Sequence, residues 1–344
     1  MARMSSSFSG DADSPPIAPS SALTRLNSIL HRPEQLEHLV AGISGGVVST
    51  LVLHPLDLIK VRFAVNDGTS PHSAVVSRGL RYAFAHTWRE GGIRALYQGV
   101  TPSCLGAGTS WGVYFLMYNL TKEWMAGINN STENLTPVQH MLAAANAGVW
   151  TLFVTNPIWV VKTRICLQYN QSELDLPQSK RYKGLVDCFA KIYKYEGIRG
   201  LYKGLIPGMF GVSHGALQFM AYEELKKRAN KFKGAGPEAK LGTVEYLTYA
   251  AISKLFAATA TYPYQVIRAR LQDQHKNYNG LWDVIVRTWS REGYRGFFKG
   301  MIPNVLRITP ASAVTITVYE EMRTLMEKRR LKNEEIIADR QIKS

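Results

Sequence analysis

Cysteine is scarce in this chain: three residues in 344, Cys104, Cys166 and Cys188. An odd number without paired spacing excludes a disulfide framework and a metal cluster, and implies reduced, buried thiols. Acid is scarce as well. There are 26 Asp and Glu against 41 Lys and Arg, a formal net charge of +15. That balance points to anionic partners: nucleic acid, an anionic membrane surface or anionic small molecules. Nucleic acid fits least, because the bases are spread along the chain with no zinc spacing, RNA-binding sheet motif or basic helix. Nucleophile–base pairs do not recur either. Gly106-Ala-Gly108-Thr-Ser-Trp-Gly112 is no dinucleotide fingerprint, since its last spacing is wrong and no strand precedes it. Neither an enzyme nor a resident cofactor or metal is expected.

Charge is missing altogether from four long runs: 38–56, 101–121, 137–161 and 204–222. Each is long enough to cross about 30 Å of hydrocarbon as a helix. A fifth run, 244–267, carries Glu245 near one end and Lys254 inside. The sixth, 300–319, carries only Arg307 before its closing position. The expectation is an all-α membrane protein with six transmembrane helices. Residues 1–33, rich in Ser, Pro and Ala with no apolar core, read as a disordered tail. Residues 326–344 read as a charged tail. Asn130-Ser-Thr132 and Asn134-Leu-Thr136 match glycosylation acceptors, which matter only in a secretory context.

What is present recurs three times. Pro55-Leu-Asp57-Leu-Ile-Lys60-Val-Arg62 is followed by Pro157-Ile-Trp159-Val-Val-Lys162-Thr-Arg164 and Pro263-Tyr-Gln265-Val-Ile-Arg268-Ala-Arg270. Downstream come Glu196-Gly197-Ile-Arg199-Gly200-Leu-Tyr202-Lys203-Gly204 and Glu292-Gly293-Tyr-Arg295-Gly296-Phe-Phe298-Lys299-Gly300. The first copy is looser, Glu90-Gly91-Gly92 through Tyr97-Gln98-Gly99, with its acid one residue early. Each unit closes on Tyr118-Asn119-Leu-Thr-Lys122, Tyr222-Glu223-Glu-Leu-Lys226 or Tyr319-Glu320-Glu-Met-Arg323. Three pseudo-symmetric repeats follow, over 36–125, 136–230 and 243–325. Each is a span, a polar loop with a short amphipathic helix, and a second span.

The spans read as cavity walls. Ionisable groups at membrane depth are costly unless they face a bundle interior or water. Lys254 and Arg307 have no acid in their own spans, so a bound anion is the natural partner. His214 and Gln218 fit either ligand contact or an interhelical hydrogen bond. Each proline is expected to kink its helix. The residues beyond would then ring a constriction, with the acid of one repeat reaching the base of another. The closing motifs can form a second ring, and two rings around one cavity imply alternating access.

These motifs resemble the mitochondrial carrier family over roughly residues 36–325. The resemblance implies six tilted helices, three short matrix helices, both termini toward the intermembrane space, and a functional monomer in the mitochondrial inner membrane. An anionic lipid such as cardiolipin is an implied partner. It assigns a matrix gate to Asp57, Lys60, Trp159, Lys162, Gln265 and Arg268, pairing Asp57 with Arg268, Lys60 with Trp159 and Lys162 with Gln265. It assigns a cytoplasmic gate to Asn119, Lys122, Glu223, Lys226, Glu320 and Arg323. Family contact points lie 12 residues before the closing tyrosines, which gives Gly106, Phe210 with adjacent Gly211, and Arg307. Trp111 stands either to stack on a flat ring or to pack as an anchor. Within the family, the stretches 53–65, 213–223 and 260–275 are similar to its folate/FAD transporters. They imply FAD, and reduced folate beside it, as cargo, with NAD or a pyrimidine nucleotide as the alternative. A non-transporting scaffold on the same fold is the remoter one, and predicts loss of cavity charge.

Overall fold

A computed structural model of the chain describes residues 33–69, 75, 78–128, 136–168, 181–234, 236 and 242–343. They form helices, with no strand among them. The tail over 1–32 and the acceptor asparagines Asn130 and Asn134 lie outside the described residues.

In chain order the helices are α1 Pro33–Val65, α2 Leu80–Leu96, α3 Val100–Ile128, α4 Pro137–Cys166, α5 Leu185–Leu201, α6 Leu205–Phe210, α7 Ser213–Phe232, α8 Thr243–Ala260, α9 Tyr262–Gln272, α10 Leu281–Glu292 and α11 Met301–Lys343. A short 3-10 segment, Gly293–Phe298, links α10 to α11. The six spans are thus α1, α3, α4, α6 with α7, α8 with α9, and α11. By length and hydropathy alone, one of the described helices, over Glu37–Val65, suffices to cross a membrane. Two of the other spans are divided, α6 from α7 and α8 from α9. Helix α1 packs on α3 and on α11, α3 on α4, and α7 on α8, so the last repeat returns to the first and closes a ring.

Local chemistry sets several of the boundaries. Thr136 caps α4: its hydroxyl accepts from Gln139 N at 3.4 Å, and Gln139 Oε1 accepts from Thr136 N at 2.9 Å. Pro137 follows at the first helical position, where no amide is needed. The expected proline kinks appear unevenly. Helices α1 and α4 run through Pro55 and Pro157 unbroken, whereas the third odd span stops at Thr261 and restarts as α9. The expected C-terminal tail continues α11 as helix, and Arg330 meets Glu37 of α1 at 3.6 Å.

The amphipathic helices α2, α5 and α10 are held to the odd spans by one device, built from charge in two repeats and from neutral groups in the first. Arg164 is fully buried and grips Glu196 with both guanidinium nitrogens, at 2.5 and 2.8 Å. Lys203 adds a contact to Glu196 at 2.7 Å. Burial acts to raise the Glu196 carboxyl, but the hydrogen bonds from Arg164 and Lys203 outweigh it and hold the group at about 2. In the third repeat Arg270 grips Glu292 at 2.6 and 2.9 Å, and Lys299 adds a contact at 2.6 Å. The first repeat lacks both partners. Gly92, Gly197 and Gly293 share one left-handed conformation, with φ of 61°, 67° and 61°, which places Gly91 at the acid position. Arg62 bonds instead to Gln98 Oε1, Thr87 Oγ1 and the Cys166 carbonyl, each at 3.1 Å.

A second threefold device precedes each proline. His54 Nε2 bonds to the Gln98 carbonyl at 2.9 Å, and Tyr262 OH donates to the Lys299 carbonyl at 3.0 Å. Asn156 Nδ2 donates to the Leu201 carbonyl at 2.9 Å and the Lys203 carbonyl at 3.5 Å. Three unlike side chains thereby tie the odd span to the turn that starts the even span. Cys166 and Cys188 are buried free thiols, with Cys104 partly exposed. Burial pushes the Cys188 thiol up to about 12, so it is held protonated.

Candidate functional site

The proline motifs converge on one ring, and its pairing runs in the opposite sense to the expected one. Lys162 binds Asp57, where Gln265 was expected. Lys60 Nζ donates to Gln265 Oε1 at 2.8 Å, not to Trp159. Arg268 Nη2 donates to Asn156 Oδ1 at 3.2 Å and leaves Asp57 to others. Each base therefore reaches the preceding repeat. Motif spacing specifies which residues form the ring, but not the direction around it; that follows from how the helices pack. Trp159 lies under its own repeat's base, with Lys162 Nζ 4.9 Å from the ring centroid.

A cavity of about 410 Å³ stands on this ring. Its wall holds the six expected matrix-gate residues together with Gly211, His214, Lys254 and Arg307. Two expectations about its cations change. Arg307 has an acid neighbour after all: Nε lies 3.5 Å from Asp57 Oδ1, contributed by α1 across the ring closure. That contact lacks hydrogen-bond geometry, and Nε is buried without a hydrogen-bond partner. Lys254 donates to the Ser312 hydroxyl of α11. His214 Nδ1 meets Thr261 Oγ1 at 3.0 Å while still lining the cavity.

Four other candidates fall outside the wall. Trp111 packs on α1, where a Cβ at Gly46 would come within 2.9 Å of its indole; it serves as a packing residue on the Gly42 and Gly46 face. Phe210 is 61% exposed and turns away, so the adjacent Gly211 is the wall residue of that pair. Gly106 abuts the Trp159 ring, at 3.3 Å from a built Cβ, and acts by making room for it. Gln218 does not reach the cavity. Tyr264 was missed by sequence reasoning. It lines the cavity, and a Cβ at Gly211 would meet its hydroxyl at 2.8 Å. Its only sequence signal is its place inside the third proline motif.

The other end of the bundle is different. Among the described residues no ion pair joins Glu223 or Glu320 to Lys122 or Arg323, and the Asn119 side-chain nitrogen is buried without a partner. The closing tyrosines instead meet rings on the next repeat. Tyr118 OH lies 2.9 Å from His140 Nδ1, and Tyr319 OH lies 2.5 Å from His38 Nδ1. Tyr222 packs edge-on against Tyr246 at 5.8 Å. Ion pairs also join the repeats at this end, Glu37 with Arg330 at 3.6 Å and Glu245 with Lys233, beside the aromatic contacts.

Three two-span repeats, joined at one end beneath a base-rich cavity, are the architecture of a membrane carrier. The family model for "Mitochondrial carrier protein" matches residues 31–129, 133–233 and 239–330, and the chain belongs to that family. It is similar to Folate transporter 1, chloroplastic, of Arabidopsis thaliana, at 40% identity over 305 residues, covering 86% of this chain and 96% of the relative. Nicotinamide adenine dinucleotide transporter 1, chloroplastic, of the same plant is 36% identical over 285 residues, 81% of this chain and 88% of its own. The mitochondrial FAD carrier protein FLX1 of Saccharomyces cerevisiae is 31% identical over 307 residues, 83% of this chain and 96% of its own.

Proposed function

We propose that this protein carries FAD, and reduced folate as a related cargo, across the mitochondrial inner membrane by alternating access. The observation that carries the reading is the charge imbalance of the cavity: Lys60, Lys162, Lys254, Arg268 and Arg307 face a single acid, Asp57. Such a wall attracts a ligand with clustered negative charge, as a pyrophosphate or a glutamate tail has. Arg307 and Lys254 hold that anionic part. Trp159 and Tyr264 offer aromatic faces to the planar part.

Asp57 links binding to gating, because it serves Lys162 and Arg307 at once. A cargo anion at Arg307 replaces the acid there and leaves the gate with fewer contacts to break. Cargo shifts the equilibrium only through this difference in affinity between the two states. NAD is the second reading, favoured by the relative named as an NAD transporter with comparable coverage. Liposomes holding the purified protein, offered FAD, reduced folate, NAD and pyrimidine nucleotides, separate the two. Preferential uptake of NAD would replace the first reading with the second, and no uptake of any of them would reject both.

A further inference from the structure

A second pocket, of about 240 Å³, lies at the opposite face of the gate, between the loop after α1 and the amphipathic helix α10. Its wall brings Asp67 of the first repeat against Lys276, Tyr278, Arg287, Arg291 and Glu292 of the third. The charges do not balance. Arg270 and Lys299 share Glu292, and Arg287 pairs with Asp283 at 2.6 Å. Lys276 and Arg291 then share one carboxylate, Asp67. Arg291 reaches it only at 3.9 Å and is 54% exposed. Among the lining residues, four bases, Arg270, Lys276, Arg287 and Arg291, meet two carboxylates, Asp67 and Glu292, an excess that suits a phosphate anion. Lys276 also donates to Thr69 Oγ1 at 2.8 Å, so a hydroxyl stands beside the under-neutralised bases. The Arg287 guanidinium sits 5.5 Å from the Tyr278 ring, which fixes one wall.

The site is not part of the threefold machinery. With Gly92, Gly197 and Gly293 in register, the position of Arg291 is Glu90 in the first repeat and Tyr195 in the second. The position of Arg287 is His86 and Lys191. Only the third repeat presents two arginines one turn apart. On α10, at 3.6 residues per turn, they fall nearly opposite Trp282, Val286 and Trp289, the exposed apolar face that suits a membrane interface. The pocket therefore faces the aqueous side.

We propose that this pocket is a second anion site, which binds a phosphate or pyrophosphate group between the first and third repeats. An occupant takes Lys276 and Arg291 from Asp67 and bridges the loop after α1 to α10. It thus strengthens a junction already tied by Arg270 to the Ala64 carbonyl at 3.1 Å and by Lys299 to the Asn66 carbonyl at 2.9 Å. It does not depend on which cargo the central cavity carries.

The test uses the full chain in nanodiscs of zwitterionic lipid, titrated with inorganic pyrophosphate and followed by calorimetry and thermal stability. The unaltered protein should show two classes of site, and Arg307→Ala should keep the one described here. Arg291→Gln should weaken that class roughly tenfold, as expected for one lost charge-assisted bond, while Arg291→Lys largely retains it. FAD uptake should be unchanged in Arg291→Gln at zero pyrophosphate. A parallel series in discs with cardiolipin separates the sources. If pyrophosphate does nothing but stabilisation by cardiolipin depends on Arg291, the pocket meets lipid and not the aqueous phase, and the proposal is overturned. If neither responds to Arg291→Gln, the proposal is overturned.

Discussion

The first repeat and the other two perform one structural task with different chemistry. In the second and third, the terminal arginine of the proline motif is held by a carboxylate that also takes a lysine. In the first, Arg62 is held by an amide, a hydroxyl and a carbonyl. Each bond from the charged guanidinium contributes about 1.5–3 kcal/mol, whereas removing one partner of a buried ion pair costs about 3–5 kcal/mol. The first repeat therefore spreads over three partners what the other two concentrate in one carboxylate, and loses less when any one partner is removed. It is also the repeat that contributes Asp57, the one acid lining the cavity.

The largest effect expected from breaking this comparison is at Glu292. Its side chain is 6% exposed and that of Arg270 1%. Glu292→Gln should cost about 3–5 kcal/mol by leaving Arg270 buried and uncompensated, read as a fall in thermal stability of the purified protein. Glu196→Gln should cost less, because that carboxylate is 30% exposed. Gln98→Ala should cost about 1.5–3 kcal/mol, because it removes one of three bonds to the charged Arg62. Equal losses at the three sites would dissolve the distinction.

Gate function comes next in size. Asp57→Asn removes the acid from both Lys162 and Arg307, so net uptake without counter-substrate should rise while anionic cargo binds more tightly. Proteoliposome uptake together with equilibrium binding measures both. A fall in each would mean that Asp57 is only structural. The observed pairing also determines how an acid could be restored: Gln265→Glu faces Lys60, and it should slow net uptake more than exchange.

Two smaller effects sharpen the contrast. Gln98→Lys should destabilise the first repeat by placing a second base beside Arg62, and adding Gly91→Glu should recover much of the loss. Glu292 adopts φ −125° and ψ −9° without strain, so a glutamate at the matching position is tolerated. A double-mutant cycle reads the coupling, and additive effects would contradict it. The smallest effect is in pH. Glu196 ionises at about 2 when folded, against 4.5 otherwise. Its contribution is thus complete above about 4.5 and lost as pH falls toward 2. A scan of melting temperature between these limits should flatten in Glu196→Gln and keep its slope in Gln98→Ala.

Much of this was legible in the residues. The triplicated prolines, the glycine turns and the closing tyrosines pointed to three repeats, and to six proline-motif residues that line one cavity. What could not be read was direction and depth. A motif places Asp57 on a ring without saying whether Lys162 or Arg268 stands beside it. Arg307 and Asp57 are 250 positions apart in the chain, so their contact exists only once the last helix closes on the first. Trp111 stood open between stacking and packing because its partners Gly42 and Gly46 sit in another helix, and the sequence does not say which residue they meet. His54, Asn156 and Tyr262 escaped notice because unlike side chains do the same work. The pairing of Arg164 with Glu196 and Arg270 with Glu292 was visible in principle, since both members recur together in the second and third repeats and the glutamate lies one residue early in the first.

The central claim is that the base-rich cavity, through Arg307, binds the anionic part of a flavin-type cargo. The most direct measurement is FAD uptake into liposomes by the parent, Arg307→Ala and Arg307→Lys proteins, each checked for intact folding. The account predicts near-complete loss in Arg307→Ala, partial recovery in Arg307→Lys, and loss of FAD binding in parallel with transport. FAD uptake at the parental rate by a folded Arg307→Ala protein would contradict it.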